Sequence, residues 1–141
     1  MMDKILCAID GSKAAIRAVD FAVGMAAKFG AELQFMTVST VSQQSASKTT
    51  FWDSRLFEAG ERQIAKELHD AREVARKHDV AATCVTVSGR DIAEAIVGYA
   101  QEHGYDHIVM GSTGHTAFGR LLTGSVVDEV LARKHPPVTV V

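Results

Sequence analysis

A five-stranded parallel sheet with helices on both faces is the architecture to expect from these 141 residues, arranged as one domain. Three observations lead there. The apolar period switches repeatedly between strand-like runs and helical spacing, in the order βαβαβαβαβ. The first run, Lys4 to Ile9, is continuously apolar, as suits a strand buried on both faces. The helical stretches are bounded by capping residues, glycines and a proline.

Ser12 is placed to cap a first helix, in which Ala15, Ala18, Val19, Ala22, Ala26 and Phe29 form an apolar stripe. Gly30 stands where a left-handed C-terminal cap belongs. Glu32 to Val38 makes a second strand. Ser39 to Thr50 is polar, without periodicity, and reads as a long, mobile loop. Asp53 or Ser54 opens a second helix with Phe57, Gly60, Ile64, Leu68, Ala71 and Ala75 inward. Val80 to Val87 is the third strand. Asp91, with Glu94 three residues on, resembles a capping box for a third helix, which Gly104 ends. His107 to Met110 is the fourth strand. A loop then leads to a fourth helix from about Thr123. That helix is expected to close on Arg133-Lys134-His135, with positive charge at the negative end of its dipole, before Pro136. Val138 to Val141 is the fifth strand.

Right-handed crossovers limit how such a chain winds. Covering both faces requires one reversal along the sheet, which favours the order 3-2-1-4-5, with flavodoxin-like orders as the rival. In such sheets ligands sit beyond the carboxyl ends of the strands at the reversal point. Here that is the crevice between strands 1 and 4. Asp10-Gly11-Ser12 and a glycine-rich loop meet there.

Composition narrows the function. Lys plus Arg is 15 and Asp plus Glu is 17, a net charge of −2, too close to neutral to attract nucleic acid nonspecifically. No apolar run approaches the roughly 20 residues of a membrane span. The amino-terminal residues pass straight into a strand without a signal-peptide pattern, so cytoplasmic residence is the expectation. Cys7 and Cys84 lie in strand-like runs and read as buried thiols, with no Cys-x-x-Cys pair.

The chemistry lies between Gly111 and Ser125. This stretch holds Gly111, Gly114, Gly119 and Gly124, several hydroxyls, His115 and Arg120, and no carboxylate. Glycines let backbone N–H groups approach an anion. Gly124-Ser125 would present amides at the positive end of the fourth helix, with Arg120 and His115 adding charge. The competing reading needs no ligand: Ser125 and Asp128 fit a Ser-x-x-Asp cap, and the glycines then serve a tight connection. Other nucleotide motifs fail. Gly114-x4-Gly119 has Walker A glycine spacing, but Arg120-Leu121 follows where Lys-Ser/Thr is required, and no G-x-G-x-x-G occurs. A Ser112–His115–Asp10 hydrolase triad lacks a nucleophile elbow. A receiver domain would need an Asp ending strand 3, where Ser88-Gly89 stands. His103 and His107 share no helical face, and His69 and His78 are expected to face water.

Gly111-x2-Gly114-x9-Gly124-Ser125 resembles the G-x2-G-x9-G-S/T signature of the universal stress protein family, in its ATP-binding branch. Ala8-Ile9-Asp10-Gly11-Ser12, Ile108 to Ser112 and Pro137 to Val141 extend the likeness over nearly the whole chain. The resemblance implies an adenine-nucleotide alpha hydrolase-like fold and an ATP-binding stress-response protein acting as a nucleotide-dependent switch. It implies ATP, ADP or AMP as ligand, with any Mg²⁺ arriving on the phosphates. Ala8, Ile9 and Asp10 would lie by the ribose or adenine, and the Val38 backbone would meet adenine. Met110 and Gly111 would line the nucleoside. Gly114, Gly124, Ser125 and Val126 would hold the phosphates, with Arg120 and His115 as the added charge that the composition of the loop offers. The resemblance also implies a homodimer, for which the strand 5 edge is the candidate surface, and a protein partner that reads the bound state. No catalytic residue emerges. A slow ATPase or autophosphorylating enzyme, and a nucleotide-free dimeric scaffold, remain the alternatives.

Overall fold

The computed structural model describes residues 2–39, 54–112 and 124–141. Among these, the elements run β1 (Lys4–Ala8), α1 (Lys13–Phe29), β2 (Glu32–Ser39), α2 (Ser54–Lys77), β3 (Ala82–Ser88), α3 (Ile92–Glu102), β4 (His107–Met110), α4 (Gly124–Leu131) and β5 (Val138–Val140). The sheet order is β3-β2-β1-β4-β5, with every neighbouring pair parallel. The expected order therefore holds, and the flavodoxin-like rival falls. The loop expected over 39–50 lies outside the described residues beyond Ser39.

Side chains alternate across the sheet and divide the core in two. Ile5, Cys7, Leu33, Phe35 and Val109 face α1 and α2, where Ala18, Ala22, Ile64, Leu68 and Ala75 meet them. Leu6, Ala8, Met36, Ile108 and Met110 face α3 and α4, against Ile96, Val97, Val126 and Val130. Small residues on α1 let its axis lie close to the strands. β1 is central, and Ile5, Leu6 and Cys7 are completely buried. Removing a side chain such as Ile5 from water contributes about 1.5–3 kcal/mol.

The caps form as read. The Ser12 Oγ accepts from the Ala15 N–H (3.1 Å), and Gly30 is left-handed at φ 64°. The Asp91 carboxylate accepts from the Glu94 N–H (3.0 Å). Its other oxygen takes the Arg133 guanidinium at 2.9 Å, which ties the start of α3 to the segment after α4.

Four expectations need correction. Phe29 is 56% exposed, because it sits in the last turn of α1, where the helix overhangs the sheet. β3 starts at Ala82, after a turn in which Asp79 takes a positive φ of 57°. Cys84 is only half-buried, since β3 is an edge strand; its thiol donates to the Leu68 carbonyl. α4 stops at Leu131, so the basic run follows the helix instead of filling its last turn.

A polar lattice closes the amino-terminal end of the sheet. The Asp3 and Lys4 N–H groups donate to the Asp106 carboxylate. The Lys4 ammonium donates to the His103 carbonyl (2.6 Å) and lies over the Tyr105 ring. The Gln34 side-chain carbonyl accepts both the Tyr99 and Tyr105 hydroxyls at 2.7 Å. Burial, with Tyr99 and Glu32 nearby, pushes the Tyr105 phenol up to about 12. His107 is buried beside this lattice, its Nε2 2.7 Å from the Thr139 hydroxyl on β5. Desolvation lowers its pKa below the ordinary 6.5, against the opposing pull of Asp106.

Two expected outcomes follow from this packing. A Cβ on Gly111 would lie 2.9 Å from the Ala14 backbone, whereas one on Gly24 meets nothing within 4 Å. Gly111→Ala is therefore expected to destabilise by about 1–3 kcal/mol, and Gly24→Ala, in an exposed helix interior, to stabilise by roughly 0.5–1 kcal/mol; urea unfolding measures both. For His107 the unfolded chain binds more protons than the folded one between the lowered pKa and 6.5. Its contribution is thus complete above about pH 6.5 and is lost as pH falls towards the folded value. His107→Gln should lose less stability than the parent between pH 7.5 and 5.5, when both are followed by urea unfolding.

Candidate functional site

β1 and β4 are paired from Ile5↔His107 to Ala8↔Met110. Beyond that rung β1 enters the turn to α1. The reversal point lies here, between the Ile9-Asp10-Gly11-Ser12 turn and Gly111-Ser112, where the sequence places the crevice.

Local chemistry fixes the turn. The Asp10 Oδ1 accepts from the Ser12 N–H (2.9 Å), an Asx turn that leads into the α1 cap. Asp10 is 2% exposed. Gly11 takes φ 81°, and a Cβ there would come within 2.6 Å of the Glu67 carboxyl carbon from α2. The positive φ is what requires glycine here; the Glu67 carboxylate is the flexible end of its side chain and could move aside.

β1 also parts from β2 at this level. The Ile9 N–H donates to the Met36 carbonyl at 2.9 Å, the last backbone rung between these strands among the described residues. The Ile9 carbonyl accepts the buried Thr37 hydroxyl (3.3 Å). Backbone groups alternate sides along a strand. Because Met36 points at β1 and Ser39 accepts Gly89 of the β3 side, the phase is set: Thr37 and Ser39 point towards β3. The Val38 N–H and C=O therefore point to the side that β1 has left. A donor and an acceptor stand side by side there, at the lip of the crevice.

α4 follows the glycine-rich stretch in sequence and packs on the α3 face of the sheet. Its backbone starts at Gly124, which puts Ser125 inside the first turn and not at the cap position expected of it. The first-turn N–H groups of Gly124, Ser125 and Val126 have no partner within the helix and lie at its positive end. On the other side, the Ser112 N–H donates to the Val141 carbonyl at 2.8 Å, and Val141 N–H to Met110 (2.9 Å), so the β4 end is tied to β5.

The residues singled out from sequence thus divide. Ala8, Ile9, Asp10, Val38, Met110 and Gly111 are brought to one end of the central strands. Gly114, His115 and Arg120 lie outside the described residues. The side chains of Ala8, Val38, Met110 and Val126 belong to the core under α3 and α4, and that of Ile9 to the opposite core. What these positions offer a ligand is backbone. Sequence reasoning missed Thr37, whose hydroxyl takes the Ile9 carbonyl, and Glu67, which overlies Gly11. A polar residue inside an apolar strand was the signal available for Thr37. Glu67 gave none, as its contact depends on how α2 packs. His103 is exposed and His107 buried, and His69 and His78 are exposed. Among the described residues no three His, Cys, Asp or Glu side chains gather as a metal ion would require. No described helix is long and apolar enough to cross a membrane.

Comparison with known proteins agrees with this architecture. The model of the universal stress protein family matches residues 1–141. The universal stress protein YxiE of Bacillus subtilis (strain 168) is 30% identical over 148 residues, covering 100% of this chain and 99% of the relative. A crystal structure from the same family in Burkholderia pseudomallei superimposes with a TM-score of 0.78 at 30% identity, over 99% of this chain and 95% of that one. A universal stress protein crystallised in complex with cAMP gives 0.71 at 28% identity, again over 99% and 95%.

Proposed function

The chain belongs to the universal stress protein family, and on that footing we propose that it binds an adenine nucleotide, ATP foremost, in the crevice between β1 and β4. The observation that carries this reading is the Val38 backbone. Its N–H and C=O face the crevice as a donor–acceptor pair, which complements the N1 acceptor and N6 donor of adenine. Asp10, across the turn, supplies a carboxylate for ribose hydroxyls. The first-turn amides of α4 receive phosphate oxygens, joined by Gly114, His115 and Arg120 from the glycine-rich loop. The related protein crystallised with cAMP supports the ligand class, since cAMP shares both adenine and phosphate.

The residues present fit such a ligand by backbone and dipole, and any Mg²⁺ would come on the phosphates; among the described residues no carboxylates gather for a separate metal. No side chain among the described residues is poised as a base for phosphoryl transfer. The proposed role is therefore a switch: nucleotide occupancy ties the β1–α1 turn, β2 and α4 together, and a partner protein senses it. A slow ATPase would show as turnover that disappears in Gly124→Ala or Ser125→Ala.

The decisive experiment is mass spectrometry of gently purified protein for bound nucleotide, followed by thermal unfolding with added ATP. At 100 times Kd, ATP should add about 2.7 kcal/mol of stability. Asp10→Ala is expected to fold and to weaken ATP binding about tenfold or more, the loss of 1.4 kcal/mol or above. Val38→Ala should bind nearly as the parent does, because only its backbone faces the ligand. No co-purifying nucleotide together with no calorimetric binding would favour the scaffold reading instead.

Assembly completes the proposal. β5 is a short edge strand paired only to β4 among the described strands, with Val140 41% exposed. Pairing with β5 of a second copy would satisfy its outer backbone groups. Sedimentation is expected to show a dimer at micromolar concentration; a clean monomer there would remove this part of the proposal.

A further inference from the structure

The far edge of the sheet presents a second surface. β3 is the outer strand, and among the described residues no strand lies beyond it. Gly89 donates to Ser39 on β2, which sets the backbone phase of β3. Thr83, Val85 and Val87 point their N–H and C=O groups at β2, and Cys84, Thr86 and Ser88 point theirs outward.

Beside this edge runs a groove of about 400 Å³ between β3 and α3. Val87, Ser88 and Gly89 form one wall, and the Glu94, Gly98 and Glu102 stripe of α3 the other. Those three positions fall at i, i+4 and i+8, and all are exposed. Gly98 leaves the groove open at its middle, since a Cβ there would meet nothing within 4 Å. The charge is acidic. Asp91 is committed to its cap and to Arg133. Glu94 and Glu102 carry no ion pair among the described residues, and Arg90 is the one cation in the lining.

We propose that this groove is a docking site for an extended, basic peptide segment of a partner protein, which adds a strand to the β3 edge. Two features select that occupant. The outward N–H and C=O groups of Thr86 and Ser88 call for an extended backbone. Glu94 and Glu102 are about 12 Å apart along the helix axis, close to the roughly 13 Å between residues i and i+4 of a strand, which share a face. Lysine or arginine at i and i+4, with a small residue between them opposite Gly98, matches both. A second copy of this groove is disfavoured, because like charges would face one another. The surface lies at the opposite edge of the sheet from β5, so it does not depend on the dimer.

The test uses the full chain and fluorescein-labelled Lys-Val-Ser-Val-Lys, with acetyl and amide ends, followed by anisotropy and by amide NMR shifts. The Lys peptide is expected to bind at least about tenfold more tightly than Glu-Val-Ser-Val-Glu at low salt, with the preference shrinking at high ionic strength. Shifts should centre on Thr86, Ser88 and Gly98. N-methylation of alternate peptide residues should abolish binding, and Glu94→Lys with Glu102→Lys should invert the charge preference. Thr86→Pro removes one outward donor without touching the β2 ladder; if it does not fold, the N-methylated peptide makes the same test. ATP binding should be unchanged in the Glu94→Lys, Glu102→Lys variant. Absence of saturable Lys-peptide binding would overturn the proposal. So would binding indifferent to N-methylation and to charge reversal, or shifts confined to the β5 edge.

Discussion

Burial of β1 on both faces and along both edges is the constraint from which the rest of the structure follows. Ile5, Leu6 and Cys7 are fully buried, and β2 and β4 flank the strand. A central strand can only be flanked this way if the chain leaves it on one side and returns on the other. With right-handed crossovers, α1 and α2 then fall on one face of the sheet and α3 and α4 on the other. The reversal point falls beyond the carboxyl end of β1, because α1 and α4 lie on opposite faces of the sheet. A crevice there is what covering both faces is expected to produce, whether or not a ligand fills it.

The two ends of the sheet are finished differently. At the amino-terminal end, Asp106, Gln34, Lys4 and two tyrosines bond across strands that are distant in sequence, such as Tyr105 with Gln34. Polar groups there are consumed by one another. At the carboxyl end, in the proposed site, the Asp10 turn, the end of β2 and the start of α4 would direct backbone groups at a bound nucleotide. A half-buried lattice of satisfied polar groups ties these segments to one another and holds the strands above it in register. This division of labour makes the carboxyl end the one that can respond to a ligand.

The element order, the sheet order, the caps at Ser12 and Asp91 and the left-handed Gly30 were all legible in the sequence, because each depends on local period or on one residue's conformational preference. What was not legible depends on packing between elements. Phe29 fits the apolar stripe of α1, yet it overhangs the sheet, since periodicity carries no information on where the underlying strand ends. Cys84 looks like any apolar-strand thiol, but β3 is an edge, and edge position is a property of topology. The amino-terminal lattice uses Gln34, Tyr99 and Tyr105, none of which forms a pattern in sequence. At the site, the residue positions could be read, but not that Ala8, Val38, Met110 and Val126 spend their side chains on the core.

That last point alters how the glycine motif should be weighed. Gly111 begins it, and a glycine at that position would suit close approach of backbone to phosphate. A Cβ there would instead meet Ala14 of α1, at 2.9 Å. Gly11 is demanded by its positive φ of 81°. Packing at Gly111 and backbone conformation at Gly11 therefore account for these two glycines, and their presence does not discriminate a nucleotide site from a structural corner. The discriminating feature is one that packing does not require. β2 runs past the last rung of β1, so that Val38 turns a donor and an acceptor towards the crevice. Pairing with β3 at Val87 and Ser88 accounts for the extension itself, but not for the side of Val38 turned away from β3, where a buried polar pair costs free energy until it is bonded. An adenine edge would supply that partner, and the extension of β2 beyond β1 is the structural ground for reading the crevice as a base-recognition site.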